Sequence, residues 1–559
     1  MVSIGRRQVT TGPATGQSAV AAGDVRGRSP AAVWWRTYRH HLRLLRNGAI
    51  AWIAALAGIG AGVAATFEDR HGTEEELAAL AEMEGIPAFE ALVGRYVEPA
   101  TVEGLTLSRW GMFGILAAVW GMLAATKLLR GAEDSGHYEP LRAGVIGPRA
   151  LLVSALAALF TTHIIFALAI GLGHTAGGMD AATSWALGGA IALLTAVFAT
   201  VTALTSQLAA SRRRAVGLAG IVIGVALGLR LLAAAGGTPE WVWWTTPFGW
   251  IGYLHEIDAA RGRVFLSFGL LLAVLLVATL ATARRDLHGG LFGADTGTAR
   301  RARPVGGDVG LAVRLTAGPA RTWGLIIGVV ALALGLLARD FADAAAAMPT
   351  TVVLVETQLG VAGLDTPAGI VALTFSMFAV VLLAVFAAGQ VAAIREEEAT
   401  WRLEHLLARP VGRLRWLLTR VLTAAAAVVG IALAAGVMMW VATGLVDAPV
   451  GLLDSLAAAL NMVPVALLAL GVGVGLLGLV PRLTAPLAYG LVLAAYLLDF
   501  VGGLLELPEV VLDLSPFRHL ASVPVADMNL GAALVMIAVG VVAATIGVVA
   551  FRRRDLQEA

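Results

Sequence analysis

The sequence predicts an all-α, polytopic membrane protein of about twelve transmembrane helices, arranged as two six-helix repeats. Three observations carry that fold class. First, hydrophobic residues make up 58% of the 559 and charged residues only 14%, against about 25% charge in soluble domains. Second, the apolar residues come in unbroken blocks, not at helix or strand period, and about twenty helical residues cross about 30 Å of hydrocarbon. Third, the arginine clusters alternate with the blocks, so that all of them fall on one side of a twelve-span arrangement.

Residues 1–32 are rich in Gly, Ala, Ser and Arg and lack the apolar core of a signal peptide, so a disordered cytoplasmic tail is expected there. In 33–46, Trp34, Tyr38, Leu42 and Leu45 share one helical face and Arg36, Arg39, Arg43 and Arg46 the other. That pattern fits an interfacial helix lying on the inner leaflet, or simply a positive flank to the first span. Spans follow near 49–66, 110–130, 150–173, 182–209, 215–234 and 264–283. A second set falls near 322–338, 367–394, 417–443, 451–479, 484–502 and 529–550. Thr366-Pro367 reads as a helix start, a capping hydroxyl followed by proline in the first turn. Loop 67–109 carries ten acids against three arginines and reads as an external helical cap. Both termini are expected on the arginine-rich, cytoplasmic side.

Three landmarks recur in order. Glu133 and Glu139 match Glu398 and Glu404 at an offset of 265 residues; Thr246-Pro247-Phe248 matches Ser515-Pro516-Phe517 at 269; Arg284-Arg285-Asp286-Leu287 matches Arg553-Arg554-Asp555-Leu556 at 269. The chain is therefore expected to divide into a first half at 33–285, a cytoplasmic linker at 286–308 and a second half at 309–559. Six spans per half is an even number, so the halves run in the same sense.

The segment after the second span of each half bears most on mechanism. In the second half it runs from Arg395 through Glu396, Glu397 and Glu398 to Pro410 and Arg413. Leu403, Leu406 and Leu407 share a face, while Glu396, Glu397 and Glu404 are expected to point outward. A short amphipathic acidic helix between spans suits docking onto a soluble partner; an ordinary charged membrane boundary would look similar.

The pattern Glu-Glu-Glu-x-x-x-x-Leu-Glu-x-Leu-Leu-Ala-x-Pro-Val-x-Arg at 396–413 resembles the coupling-helix region of type-2 ATP-binding-cassette (ABC) permeases. It is similar above all to the fused twelve-span actinobacterial exporters of the polyketide-antibiotic or tetronasin type. The terminal Arg-Arg-Asp-Leu and the Ser-Pro-Phe before the last span resemble the same group, while Gly144-Val145-Ile146 departs from its pattern in the first half. The resemblance implies a type V exporter-like fold in the bacterial cytoplasmic membrane, with short external helices before each sixth span, at 238–256 in the first half. Trp241, Trp243, Trp244 and Trp250 would then sit at the outer interface, where an ordinary aromatic belt explains them equally well. The resemblance also implies two copies of a separate ABC ATPase carrying ATP and magnesium, and alternating access that moves a small hydrophobic or amphipathic compound outward. Glu133, Glu139, Glu397, Glu398, Glu404, Leu406 and Arg413 would contact or couple to that ATPase.

The chain itself shows no Gly-Lys-Ser/Thr of a phosphate-binding loop; Lys127, its one lysine, lies between Thr126 and Leu128. No cofactor is expected in the chain. The absence of cysteine excludes disulfides and thiolate metal sites. Polar residues within spans are costly and often functional, which makes His163, Asn461 and Asp499 candidates for the translocation path. An interhelical hydrogen bond is the competing role for each, and for Asn461 also the satisfaction of backbone freed by Pro464. Arg230 and Asp499 lie near outer ends, where they have room to snorkel. The rival reading is a proton-coupled antiporter of the major facilitator type. Its loops would read Gly-x-x-x-Asp-Arg-x-Gly-Arg-Arg, unlike 131–143 or 395–413, and Asp499 would be its carboxylate. A membrane-embedded enzyme lacks any legible cluster of ligands or nucleophile and base. Membrane lipid is an expected partner and nucleic acid is not.

Overall fold

The computed structural model describes residues 29–70, 72–82, 97–134, 146–209, 212–234, 238–254, 259–283, 307–349, 360–400, 402–407, 412–448, 450–502 and 508–555, with isolated residues between them. Among the described residues there is no strand, and twelve helices are long and apolar enough to cross a membrane. Contacts divide the chain into two units, Met1–Gly297 and Thr298–Ala559. The expected linker lies almost wholly outside the described residues.

In the first unit the spans are α1 (Pro30–Ala65), α2 (Val102–Thr126, prolonged by a π-helical turn at Lys127–Gly131), α3 (Pro148–Ala176), α4 (Ala181–Leu208), α5 (Arg212–Ala234) and α6 (Ala259–Ala281). Helix α4 is the centre: α2, α3, α5 and α6 pack on it, and α1 packs on α3. In the second unit the spans are α7 (Gly307–Leu336), α8 (Pro367–Ala399), α9 (Arg413–Leu445), α10 (Leu452–Leu479), α11 (Thr484–Gly502) and α12 (Leu530–Arg553). Here α10 is the centre, packed by α8, α9, α11 and α12, with α7 on α9. The same pairing of successive helices is thus built twice.

The repeat extends to single hydrogen bonds. Thr101 caps α2 by accepting from the Gly104 N–H at 3.0 Å and donates its hydroxyl to the Glu98 carbonyl at 2.8 Å. Thr366 caps α8 in the same way, through Gly369 N–H at 3.1 Å and the Gly363 carbonyl at 2.7 Å. All three positions are 265 residues apart. The turn residue has positive φ in both, +48° at Glu98 and +74° at Gly363, a region that costs an L-residue about 1–2 kcal/mol and glycine almost nothing. Before the sixth spans, the Thr246 hydroxyl donates to the Ala226 carbonyl at 2.6 Å and the Ser515 hydroxyl to the Ala495 carbonyl at 2.9 Å, both pairs in the 269-residue register.

Several expectations change. Residues 33–46 are not a separate interfacial helix: they run unbroken into the first span as part of the 36-residue α1. Ser29 and Pro30 start the helix, and no glycine or proline interrupts it before Gly48. At about 1.5 Å per residue α1 is about 54 Å long, so its N-terminal part projects beyond the hydrocarbon. Helix α7 likewise begins at Gly307, well before the expected 322. The α10 span breaks at Met462, between Leu452–Asn461 and Val463–Leu479, where Pro464 enters the first turn of the second segment. The short helical turns at Glu240–Thr245, Pro247–Trp250 and Ile251–Tyr253 fall where external helices were expected. Of their tryptophans only Trp241 is exposed. Trp243 and Trp250 are buried, Trp250 edge-on to Phe268 at 4.8 Å, because the turns fold back onto the ends of the spans.

Candidate functional site

A charged joint ends the second span of each unit. In the second unit the last turn of α8 places Arg395, Glu397 and Glu398 inside the bundle. Glu398 is 5% exposed and receives two arginines. Arg395 approaches it at 3.2 Å, one helical turn away, and Arg554, at the end of α12, grips it through both terminal nitrogens at 2.5 and 2.8 Å. Arg554 also donates to the Leu477 carbonyl at the end of α10 at 3.2 Å, and its own carbonyl accepts from Arg413 at 3.2 Å. Beside this group, Glu397 is 8% exposed and pairs at 2.7 Å with Arg420 of α9. Arg420 donates further to the Thr316 hydroxyl at 3.3 Å and the Ala312 carbonyl at 3.4 Å on α7. Two carboxylates from one helical turn therefore tie α8 to α7, α9, α10 and α12.

These pairs correct the expectation that Glu397 faces outward. Helical phase puts Glu397 and Glu398 toward arginines contributed by α9 and α12, and buried carboxylates persist only where such partners are supplied. Of the acidic residues in 396–404, Glu396 and Glu404 remain exposed. Glu404 sits on the short helix Arg402–Leu407, with Leu403 fully buried and Leu406 partly buried against the unit's core. That segment is amphipathic, apolar side in and carboxylate out.

In the first unit Arg130 and Glu133 occupy the register of Arg395 and Glu398. They form the same one-turn ion pair, at 3.1 Å, with Glu133 2% exposed. Gly131 and Ala132 stand where the second unit has Glu396 and Glu397. Arg130 turns its remaining donors to backbone, bonding the Ser206 carbonyl at 2.9 Å and the Ala209 carbonyl at the end of α4. Glu139 and its neighbours at 135–145, and Arg285, lie outside the described residues.

Of the three intramembrane candidates, His163 lies in the first unit and Asn461 and Asp499 in the second. His163, on α3, is 2% exposed, with the Trp120 ring edge-on at 5.7 Å and Phe160 at 6.3 Å; neither ring nitrogen has a hydrogen-bond partner among the described residues. Asn461 donates to the Ala521 carbonyl at 2.9 Å, in the segment before α12, and not to backbone freed at the Pro464 break. Asp499 is half-buried near the end of α11. Arg230 does not snorkel: it is fully buried and donates to the Gly111 carbonyl of α2 at 2.6 Å. Sequence reasoning missed Arg130, Arg395, Arg420 and Arg554 as structural partners. The 265-residue register held the signal for the first two, since Arg130 and Arg395 recur with Glu133 and Glu398.

The two-fold construction also appears in comparison with known proteins. A family model described as multidrug efflux system permease Rv1217c, C-terminal domain, matches residues 29–284 and 305–552, one stretch in each half. The chain belongs to this permease family. It is similar, with 32% identity over 501 residues, to the multidrug efflux system permease protein Rv1217c of Mycobacterium tuberculosis (strain ATCC 25618 / H37Rv), and the match covers 89% of both chains.

Proposed function

We propose that this permease is the membrane subunit of an ATP-driven exporter that moves hydrophobic or amphipathic compounds, such as drugs or polyketide antibiotics, out of the cell. The energy comes from ATP and magnesium bound by two copies of a separate ABC ATPase. The observation that carries the reading is the joint of the second unit. A short helix presents Glu404 to the outside, and its root is fixed by Glu397 and Glu398 to four other helices of the unit. A push on that helix reaches the ends of α7, α9, α10 and α12 through buried charge pairs, which resist separation because an uncompensated buried charge costs about 3–5 kcal/mol. Rigid-body movement of packed helices then gives alternating access. Family membership and the relative described as an efflux permease support the export direction.

The test is co-expression with a candidate ABC ATPase from the same source, purification on a tag carried by the permease alone, and measurement of vanadate-sensitive hydrolysis in lipid. The ATPase is expected to co-purify and turn over, and Glu404→Arg to lose assembly or coupled turnover while the permease remains folded. If no ATPase co-purifies and the permease alone moves drugs down a proton gradient, the reading fails and Asp499 becomes the residue to substitute.

A further inference from the structure

We propose that the exposed face of the N-terminal part of α1 is a binding site for anionic phospholipid headgroups. Arg36, Arg39, Arg43 and Arg46 are all exposed and fall within about 80° of one another around the helix, at 100° per residue. The opposite side of the same stretch is committed to the bundle. Thr37, His41 and Leu45 are buried, with the His41 Nδ1 and the Ser154 hydroxyl 3.3 Å apart across to α3. The arginine stripe therefore points away from the unit's core along its whole length.

Two further observations say what covers it. The stripe runs directly into Ile50, 62% exposed, and the exposed Ala54, which share its angular position in the apolar part of α1. Within this unit that face of α1 is left to acyl chains, so the layer beside its arginine end is the headgroup layer. Trp35, 47% exposed, flanks the stripe with the Arg39 guanidinium over its ring at 5.1 Å. Charge is the second argument. No acidic residue occurs between Val25 and Phe67, and none of the four arginines has an ion-pair partner among the described residues. Lys127 adds a fifth cation by donating to the Leu44 carbonyl at 2.6 Å. Arg43 and Arg46, nearest the apolar stretch, contact phosphates. Arg36 and Arg39 lie within about a Debye length of the same layer and strengthen its pull. At the base of α7, by contrast, Asp308 pairs with Arg415 at 2.6 Å.

The experiment uses the full chain, solubilised from membranes and exchanged into mixed micelles of phosphatidylcholine with a minor share of phosphatidylglycerol. After delipidating washes, retained lipid is counted by native mass spectrometry. The protein is expected to retain phosphatidylglycerol well above its share of the mixture. Replacing Arg36, Arg39, Arg43 and Arg46 together by Gln, a good helix former, is expected to lower that enrichment at least about threefold, and replacing the same four by Lys to preserve it. The charge-matched control replaces Arg314, Arg321, Arg552 and Arg553 by Gln and is expected to keep the enrichment. The proposal is overturned if the native chain shows no preference, if the α1 glutamine variant retains as much phosphatidylglycerol as the native chain, or if the control loses as much. ATP hydrolysis is not read, so the outcome is independent of the exporter reading.

Discussion

The joint after α8 and the joint after α2 start from one ground plan and finish it differently. Both hold an Arg–Glu pair one helical turn apart, Arg395–Glu398 and Arg130–Glu133, in the same register of the repeat. In the second unit Glu398 also takes Arg554, and an added carboxylate, Glu397, takes Arg420. In the first, glycine and alanine replace the added acids and Arg130 bonds carbonyls at the end of α4. A repeated sequence thus keeps the Arg–Glu pair and varies what is built around it. The second joint is a charge network across five helices, and in the first Arg130 bonds α2 to the end of α4.

The sharpest way to break the comparison is at the two equivalent glutamates. Glu398→Ala leaves Arg395 and Arg554 facing each other in a buried site and is expected to cost about 3–5 kcal/mol, read as a lowered midpoint of thermal unfolding and a loss of folded yield in detergent. Adding Arg554→Met to it should recover part of that loss. Glu133→Ala leaves Arg130 its two carbonyl acceptors and is expected to cost less, about 2 kcal/mol. Equal losses at Glu398 and Glu133 would show that the Arg554 pair adds nothing at the second joint.

Smaller effects are expected where the units agree. Thr246→Val and Ser515→Ala each remove a buried hydroxyl-to-carbonyl bond in the same register, and Ser515→Ala also takes away the acceptor of the Phe517 N–H at 3.2 Å. Thr246→Val should cost about 1 kcal/mol and Ser515→Ala about 1–2 kcal/mol, read from unfolding midpoints. Equal losses would mean that the second bond of Ser515 adds nothing.

The smallest expected effect concerns acid. Asp180 caps α4, accepting from the Thr183 N–H at 2.8 Å and the Thr183 hydroxyl at 3.0 Å, and these bonds hold its carboxyl below the usual aspartate value. The stabilisation is present above the unfolded-state pKa of about 4 and is lost as the pH falls through the lowered folded-state value. Unfolding midpoints measured from pH 6 downward should show an acid-side fall that Asp180→Asn flattens. In the second unit Gly451 occupies the N-cap of α10, with the Asp454 carboxylate accepting from its N–H at 3.3 Å.

Hydropathy and arginine placement located all twelve spans from the sequence, most of them to within a few residues, because transfer from water to hydrocarbon sums over a window and does not depend on neighbours. The repeat was legible for a related reason: landmark residues keep their spacing when the units keep their pairing, and Thr366-Pro367 was readable as a cap because capping is local. The direction in which a given polar side chain points was not legible. Glu397 and Glu404 are both acids of the same joint, and only the arrival of Arg420 from α9 turns the first inward. Trp243 and Trp250 read as interface residues until the turns fold them under the spans, and Asn461 finds its acceptor at Ala521, sixty residues on. The continuity of α1 across 30–65 was local in origin, with no breaker before Gly48, yet hydropathy cut it at the point where arginine gives way to alanine and isoleucine. Composition and spacing determined by themselves that this is an all-helical membrane protein of twelve spans. Which charges are buried as pairs and which are left facing outward was decided by tertiary contact, since a buried charge is tolerated only where helices distant in sequence bring its partner.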